Sequence, residues 1–282
     1  MYRFLVRPFV RKMSPDRASR FALEYYRLLG KIPGWRFISR LLHKNRPLGL
    51  EREVFGLQFY NPLGLGAGLD RKGTLYNDLN DLGFSFVEIG PLDASGVRET
   101  IKNIGADPQN DILGICIASD FLTAFTLAYD FGDFFVLDFS ENQPIETLDP
   151  VLEARLTYEK YKPIVLKLPK SAGDRESKYA ADYCMMNGVD GIEARTLSQI
   201  KAVSAISSGR LPIIANCGIK TPQEAAEMLE AGASLVEIRS GFVKEGSSIV
   251  SKMLNYLEFV KKNERNTLKT DASGNAGDAP QG

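Results

Sequence analysis

The chain has 282 residues, of which 44% are hydrophobic and 25% charged, an ordinary globular composition that suits one large domain. Its net charge is zero, but residues 1–46 hold twelve lysines and arginines against Asp16 and Glu24, an excess of +10. Three widely spaced cysteines, with no CxxC pair, indicate neither a disulfide framework nor a zinc site and fit a reducing cytosol. No stretch approaches the ~20 apolar residues needed for a transmembrane helix.

The first 46 residues are predicted to form basic amphipathic helices. Ser14 and Pro15 are typical of a helix start, and we expect this helix to run to about Leu29. A further helix is predicted from Trp35 to Leu42. Basic and aromatic side chains on such helices are typical of segments that lie in a membrane interface. A helical cap over a barrel, with its arginines exposed to water, explains the same pattern, so the residues alone leave both interpretations open.

From Val54 onward, short apolar runs alternate with helical stretches such as Pro150–Tyr161 and Pro222–Ala231. This alternation predicts an α/β fold, a closed (β/α)8 TIM barrel of parallel strands over residues 47–262, preceded by the small N-terminal helical segment. In that fold the active site lies at the C-terminal ends of the strands. Residues 263–282 are polar and are predicted to be a disordered tail. The eight predicted strands are Leu63–Gly66, Phe86–Ile89, Leu113–Ile117, Phe134–Phe139, Ile164–Leu168, Gly191–Ala194, Pro212–Ala215 and Leu235–Ile238.

Two consecutive motifs identify a family resemblance. Asn61–Gly73 reads NPLGLGAGLDRKG, and Leu82–Gly90 reads LGFSFVEIG. Together they resemble the first two barrel strands of the dihydroorotate dehydrogenases, in their membrane-associated, quinone-using class, and the resemblance extends from the N-terminus to about Leu257. It implies an FMN-dependent flavoprotein of pyrimidine biosynthesis that oxidises dihydroorotate to orotate and passes electrons to a quinone.

The same resemblance implies the partners and the location. Residues 1–46 would contact the membrane surface and quinone, and the protein would be cytoplasmic, peripheral at the inner face of the membrane. No nucleic-acid partner and no metal site are expected.

The resemblance also implies which residues contact the flavin. Lys167 matches the family's flavin-contacting lysine, although a lysine inside an apolar strand can instead be a partner for Glu193 or Asp138 across the barrel. The barrel's phosphate-binding loops follow its last two strands. The implied cofactor positions are Ala67, Gly68, Lys167, Gly218, Ser240 and Gly241.

The fourth predicted strand leads into the implied catalytic base. Val136–Pro144 resembles the family signature Asn-x-Ser-Ser-Pro-Asn-Thr, whose second serine is the base. Alignment without a gap places Glu141 at that position, and a shift of one residue places Ser140 there instead. A carboxylate can accept a proton if burial raises its pKa. The implied substrate-contacting residues are Arg71, Gln143 and Thr196.

Several positions depart from the family pattern. Pro91 stands where the family has a threonine, Cys116 and Asp138 replace flavin-contacting asparagines, and the glycine-rich loop after the sixth strand is missing. The single histidine, His43, excludes a Ser-His-Asp arrangement. Three hypotheses therefore stay open: a diverged quinone-dependent dihydroorotate dehydrogenase, a catalytically inactive barrel that acts as a binding or interaction protein, and a barrel enzyme for another phosphorylated ligand. Whether the chain is an enzyme is left open.

Overall fold

The structure, a computed structural model, describes residues 2–44, 47, 49–106, 111–140 and 143–274. A two-stranded antiparallel hairpin precedes eight parallel strands that close into a barrel. The hairpin strands are β1 (Arg52–Val54) and β2 (Leu57–Phe59). The barrel strands are β3 (Leu63–Leu65), β4 (Phe86–Leu92), β5 (Ile112–Ile117), β6 (Phe134–Asp138), β7 (Ile164–Lys167), β8 (Gly191–Ala194), β9 (Ile213–Ala215) and β10 (Leu235–Ile238).

Each barrel strand pairs in parallel with its neighbours in the chain, and β10 pairs with β3 to close the barrel, with Val236 opposite Leu63. The predicted (β/α)8 fold is confirmed, and each of the eight predicted strands is present. One strand is longer than predicted, because β4 continues through Pro91 to Leu92.

Helices precede the barrel and alternate with its strands. The N-terminal helices are α1 (Tyr2–Leu5), α2 (Arg7–Val10), α3 (Pro15–Gly30) and α4 (Trp35–His43). The later helices are α5 (Tyr76–Asn80), α6 (Ala94–Ala106), α7 (Phe121–Ala128), the 3-10 helix Ile145–Leu148, α8 (Asp149–Arg155), α9 (Asp174–Asn187), α10 (Leu197–Ser207), α11 (Pro222–Glu230), α12 (Ser240–Glu245) and α13 (Ser248–Gly274).

The C-terminal helix extends beyond the barrel. Residues 263–282 are polar and are predicted to be a disordered tail, whereas α13 is helical as far as Gly274. Residues 275–282 lie outside the described part of the chain, so the disordered tail stays a prediction there.

The N-terminal half of the barrel interior is apolar. Side chains at alternate strand positions point inward, and those nearest the strand starts are Phe86, Phe134, Val165, Ile214 and Leu235, all fully buried. The hairpin β1–β2 packs on this layer, with Phe59 meeting Phe86 edge to face at 5.4 Å between ring centroids. The hairpin therefore closes the N-terminal end of the barrel.

Two glycines on neighbouring strands make room for the aromatic rings of this layer. A Cβ atom at Gly64 would lie 2.1 Å from Cζ of Phe86, and one at Gly114 would lie 2.4 Å from Cζ of Phe134. Because the interior is close-packed, neither ring can move aside without displacing others. These positions require glycine.

The N-terminal helices pack at the opposite end, against α12, which follows the last barrel strand. The rings of Tyr2 and Tyr26 stack at 5.8 Å, and Tyr26 stacks on Phe242 of α12 at 5.2 Å. Arg7 adds an ion pair of 2.8 Å to Glu245, and Tyr26 Oη accepts a 3.1 Å hydrogen bond from the Ser247 amide. The helices are thus fixed beside the C-terminal strand ends.

We expect Gly64→Ala to lower the free energy of unfolding by about 1–3 kcal/mol, because the added methyl group overpacks the ring of Phe86. Gly105→Ala is the matched control: no atom of the described residues lies within 4 Å of its Cβ position, and in α6 alanine is the better helix former. Urea unfolding of both variants checks this. Equal effects of the two substitutions would contradict the packing of the interior described here.

Candidate active site

The C-terminal half of the barrel interior is charged. Nearer the C-terminal ends of the barrel strands, the inward positions carry Glu88, Asp138, Lys167, Glu193 and Glu237, each at most 9% exposed. They come from β4, β6, β7, β8 and β10. Because side chains alternate along a strand, these residues form a second layer above the apolar one. Four carboxyl groups and one ammonium group thus meet inside the barrel; we call these five residues the acidic layer.

Lys167 is the counter-charge of the acidic layer. Its Nζ lies 3.3 Å from Oδ2 of Asp138 and 3.1 Å from Oε1 of Glu193. Burial lowers the pKa of Lys167, but Glu193 and the neighbouring acidic groups more than offset this, so that its pKa is raised and it stays charged. The interpretation of Lys167 as a partner for Glu193 and Asp138 is confirmed. Both ion pairs lie away from solvent, where removing one partner is costly.

Glu88 and Glu237 have no such counter-charge. Apart from the contact of Glu88 and Glu237 with each other and with the Cys116 thiol, none of their four carboxyl oxygens, nor Oε2 of Glu193, receives a hydrogen bond from a described residue. Burial, followed by the charge of Glu193, raises the pKa of Glu88 to about 8. Burial and the charge of Glu88 raise the pKa of Glu237 well above its usual range. At neutral pH these two carboxyl groups therefore hold protons in the absence of another cation.

Two uncharged side chains complete this end of the interior. Asn216 Nδ2 donates a 2.7 Å hydrogen bond to Oε1 of Glu193, and Cys116 Sγ lies 3.9 Å from Oδ2 of Asp138 and 4.0 Å from Nζ of Lys167. Burial raises the pKa of the Cys116 thiol well above its usual range. Cys116 is therefore a neutral packing residue, as its sequence context indicates.

Sequence reasoning did not assign Glu88 and Glu237 to the site, and it considered Glu193 only as a partner for Lys167. A usable signal was present, because each glutamate interrupts an apolar strand at the period-two position that points inward. The family resemblance instead assigns the site to residues that follow the strand ends.

Of the two candidate bases, Ser140 lies beside the acidic layer. Its backbone N–H donates a 2.9 Å hydrogen bond to Oδ1 of Asp138, and its hydroxyl donates to the same oxygen. Arg195 Nη1 donates to Ser140 Oγ at 3.1 Å. Glu141 lies outside the described residues. An exposed serine held between a carboxylate and a guanidinium can move a proton only if Asp138 accepts it.

An arginine side chain lies against Ala67 and Gly68, two positions that the resemblance assigns to flavin binding. Arg239, at the end of β10, donates from Nη1 to the carbonyl oxygen of Ala67 at 3.1 Å. A Cβ atom at Gly68 would lie 2.1 Å from the same nitrogen. The guanidinium therefore lies against the backbone that the resemblance assigns to a flavin ring. With Lys167 already held by two carboxylates, the residues present do not fit FMN in the way the resemblance implies.

The three implied phosphate-loop positions lie after β9 and β10. Gly218 has a φ of +72° and open space at its Cβ position, whereas a Cβ at Gly241 would lie 2.9 Å from the carbonyl oxygen of Ile219. Ser240 is the first residue of α12. The two loops are thus adjacent, with glycine required at position 241 for their close approach.

The implied substrate residues do not share one cavity. Arg71 lines a cavity of about 440 Å³ between α3 and the loop after β3, whereas Gln143 lines another of about 520 Å³ with Phe139 and Pro169. Thr196 is the N-cap of α10, where its side chain accepts a 3.2 Å hydrogen bond from the Gln199 amide. Its hydroxyl therefore has a structural role that the sequence reading did not anticipate.

A family model and curated protein sequences that resemble this chain carry the same family name. Residues 175–260 match the family model described as dihydroorotate dehydrogenase. A dihydroorotate dehydrogenase (quinone) of Christiangramia forsetii is 27% identical over 329 aligned positions, covering 89% of this chain and 96% of that protein. One of Actinobacillus pleuropneumoniae is 25% identical and covers 90% and 98%. Since the first alignment is longer than this chain, that relative contains internal segments that this chain lacks.

Solved structures agree at the level of the fold. A crystal structure of the Eimeria tenella dihydroorotate dehydrogenase in complex with ferulenol superposes with a TM-score of 0.69 at 17% identity, covering 90% of this chain and 93% of that one. The ligand-free form of the Eimeria protein gives a TM-score of 0.65 at 16% identity.

We expect Glu88→Gln to change how stability depends on pH. In the folded chain Glu88 keeps its proton to about pH 8, whereas in the unfolded chain it loses the proton near its ordinary pKa of 4.5. Its contribution to stability is therefore complete below the lower value and is lost as the pH rises towards the upper one. Relative to the wild type, the variant should gain up to about 1.4 kcal/mol per pH unit between pH 5 and 8.

Urea unfolding of chelator-treated protein at several pH values measures this difference. Glu99→Gln is the control, since Glu99 is an exposed partner of Lys72. Parallel stability profiles of the wild type and Glu88→Gln would contradict the buried, protonated state of Glu88.

Proposed function

We propose that this chain is a diverged member of the dihydroorotate dehydrogenase family that keeps the family's scaffold but not its flavin chemistry. It is a peripheral membrane protein that binds a quinone-type ligand beside its N-terminal helices. The observation that carries this proposal is the position of Arg239 against Ala67 and Gly68. The internal segments missing relative to the Christiangramia protein support it.

The electrostatics of the barrel mouth support the loss of dihydroorotate oxidation. Dihydroorotate carries a carboxylate, and the acidic layer presents four buried carboxyl groups against one ammonium. Each lost contact to a charged substrate group costs about 1.5–3 kcal/mol. Lys167 cannot offset this, because Asp138 and Glu193 already neutralise it. An anionic substrate is therefore disfavoured at this end of the barrel.

The outer surface of the N-terminal helices supports membrane contact. Of sixteen exposed large apolar side chains in the described chain, ten lie within the first 42 residues, and Arg3, Arg11, Lys12, Arg17, Arg20 and Lys31 are exposed among them. No described helix combines the length and the apolarity that crossing a bilayer requires. Apolar side chains interleaved with basic ones suit an anionic bilayer surface. The ten side chains are Phe4, Leu5, Phe9, Phe21, Leu28, Ile32, Phe37, Ile38, Leu41 and Leu42.

The cavity beside α3 is the proposed ligand site. Its volume of about 440 Å³ lies in the range of small-molecule pockets, and Leu23 and Leu69 line it together with Arg20, Arg27 and Arg71. Apolar walls with a few cationic donors suit a ring that carries carbonyl oxygens. The names of the relatives make a quinone the first ligand to test, with the inner face of the cytoplasmic membrane as its source.

A second candidate function is a retained dehydrogenase. Lys167 stands at its family position. The hydroxyl of Ser140 donates a hydrogen bond to Asp138, whose carboxylate can accept a proton. This candidate requires that Arg239 move away from Gly68 and that FMN bind. The first experiment below separates the two.

We expect the purified protein to lose all flavin absorbance on desalting and to quench added FMN weakly. Arg239→Ala should bind FMN at least ~10-fold more tightly, because the substitution frees the backbone at Ala67 and Gly68. Arg210→Ala, on the surface near α10, is the control. Absorbance and fluorescence titration measure binding, and a dihydroorotate-plus-quinone assay follows. Flavin bands retained by the wild type, or turnover in the assay, would establish the dehydrogenase instead.

We expect the double substitution Phe37→Ser and Leu41→Ser to weaken binding to anionic vesicles at least ~10-fold. Both side chains are more than 70% exposed on α4, and burying each in a bilayer contributes about 1.5–3 kcal/mol. Leu156→Ser with Met186→Ser removes two equally exposed apolar side chains from the barrel as a control. Flotation with phosphatidylglycerol-containing vesicles measures the difference. Equal flotation of the two double variants would exclude α4 as the contact.

A further inference from the structure

The acidic layer holds one ammonium group against four carboxyl groups. Lys167 is the cation that the structure brings into contact with Asp138 and Glu193, while Glu88 and Glu237 face each other and Glu193 without one. Burying ionised carboxylates without a partner is costly, so the interior needs further positive charge, as protons or as a metal ion.

The geometry points to a metal ion. Carboxyl oxygens of Glu88, Glu193 and Glu237, one from each, all lie within 4.8 Å of one another. Two oxygens on opposite sides of a calcium ion lie about 4.6–5.2 Å apart, since each Ca–O distance is about 2.3–2.6 Å. The three oxygens therefore fit within one coordination sphere. We propose that the barrel interior binds one divalent cation through Glu88, Glu193 and Glu237.

The unpaired oxygen atoms are the second observation. Glu88 and Glu237 are 1% exposed, and apart from a proton that they can share with each other and the weak Cys116 thiol, their four carboxyl oxygens have no donor among the described residues. The two carboxyl oxygens of Glu193 differ. Oε1 forms an ion pair with Lys167 and accepts a hydrogen bond from Asn216, whereas Oε2 has no partner among the described residues. Buried polar atoms are normally paired. Here the free atoms belong to the same three side chains whose oxygens converge.

The ligand set selects the class of cation. Carboxylate oxygens suit calcium, manganese and magnesium, whereas zinc and copper favour nitrogen and sulfur ligands. Calcium accepts six to eight oxygen ligands in flexible geometry, whereas magnesium demands near-ideal octahedral geometry and usually keeps several waters, so a site built from protein carboxylates favours calcium, with manganese as a paramagnetic substitute. Lys167 stays with Asp138 and Oε1 of Glu193, so the metal and the ammonium group use different oxygens.

Such a cation would connect β4, β8 and β10, three strands that are far apart in the sequence. This role does not depend on the proposed quinone binding or on the absence of flavin. The sequence predicts no metal site, because the chain offers one histidine and separated cysteines, and the glutamates become a ligand set only when the barrel closes.

The experiment titrates chelator-stripped, full-length protein with metal ions. Electron paramagnetic resonance measures the free ion during titration with Mn²⁺, and calorimetry measures the binding of Ca²⁺. We expect one ion per chain and a higher melting temperature with metal, since a ligand that binds the folded state stabilises it. Glu237→Gln, which keeps the size of the side chain, should lower the affinity at least ~10-fold and abolish the metal-dependent rise in melting temperature.

Two further variants make the outcome decisive. Glu99→Gln, at an exposed ion pair with Lys72, should bind the ion as the wild type does. Glu88→Gln serves if Glu237→Gln fails to fold, which circular dichroism would show. Absence of stoichiometric binding by the folded wild type at millimolar metal would overturn the proposal and leave the carboxyl groups neutralised by protons alone. Equal affinity of the wild type and the glutamine variant would do so too, since the ion would then lie elsewhere.

Discussion

The ion pairs of Lys167 with Asp138 and Glu193 are the constraint on which this end of the barrel depends. They connect the neighbouring strands β6, β7 and β8, on which these residues lie directly opposite one another, and place a fixed positive charge among four carboxyl groups. Because the same ammonium group cannot serve all four, Glu88 and Glu237 must be neutralised in another way. The chemistry available to the barrel mouth follows from this imbalance: it favours cations and protons and disfavours anionic substrates.

The chain shares its scaffold with dihydroorotate dehydrogenases, whereas the side chains at its C-terminal face are engaged with one another. The barrel superposes on dihydroorotate dehydrogenase structures, and curated relatives align along nearly their whole length. In this barrel Arg239 lies against the backbone that follows β3, Thr196 caps α10, and Lys167 is ion-paired with carboxylates. Each of these side chains stands at or near a position that the resemblance assigns to flavin or substrate, yet each is engaged in contacts within the chain itself.

The N-terminal helices have two distinct faces. The inner face is fixed by the stacked rings of Tyr2, Tyr26 and Phe242 and by the Arg7–Glu245 ion pair. The outer face presents apolar and basic side chains to the surroundings. An aromatic stack holds the helices in one orientation, so the exposed apolar groups are presented together rather than scattered. The helices therefore pack against the barrel through their inner face, and the proposed membrane contact depends on the apolar and basic side chains of their outer face.

The sequence by itself determined the fold, the strand positions and the family resemblance, because hydrophobic periodicity and glycine placement are local properties of the chain. It also identified Lys167 as a buried charge with Glu193 or Asp138 as its partners. It did not show that Glu88 and Glu237 join them, that Arg239 reaches Gly68, or that α13 is helical as far as Gly274. The first two depend on barrel closure, which brings β10 beside β3 and sets residues more than a hundred positions apart in contact. Only the tertiary structure decides such distances, and with them the charge and the contents of the site.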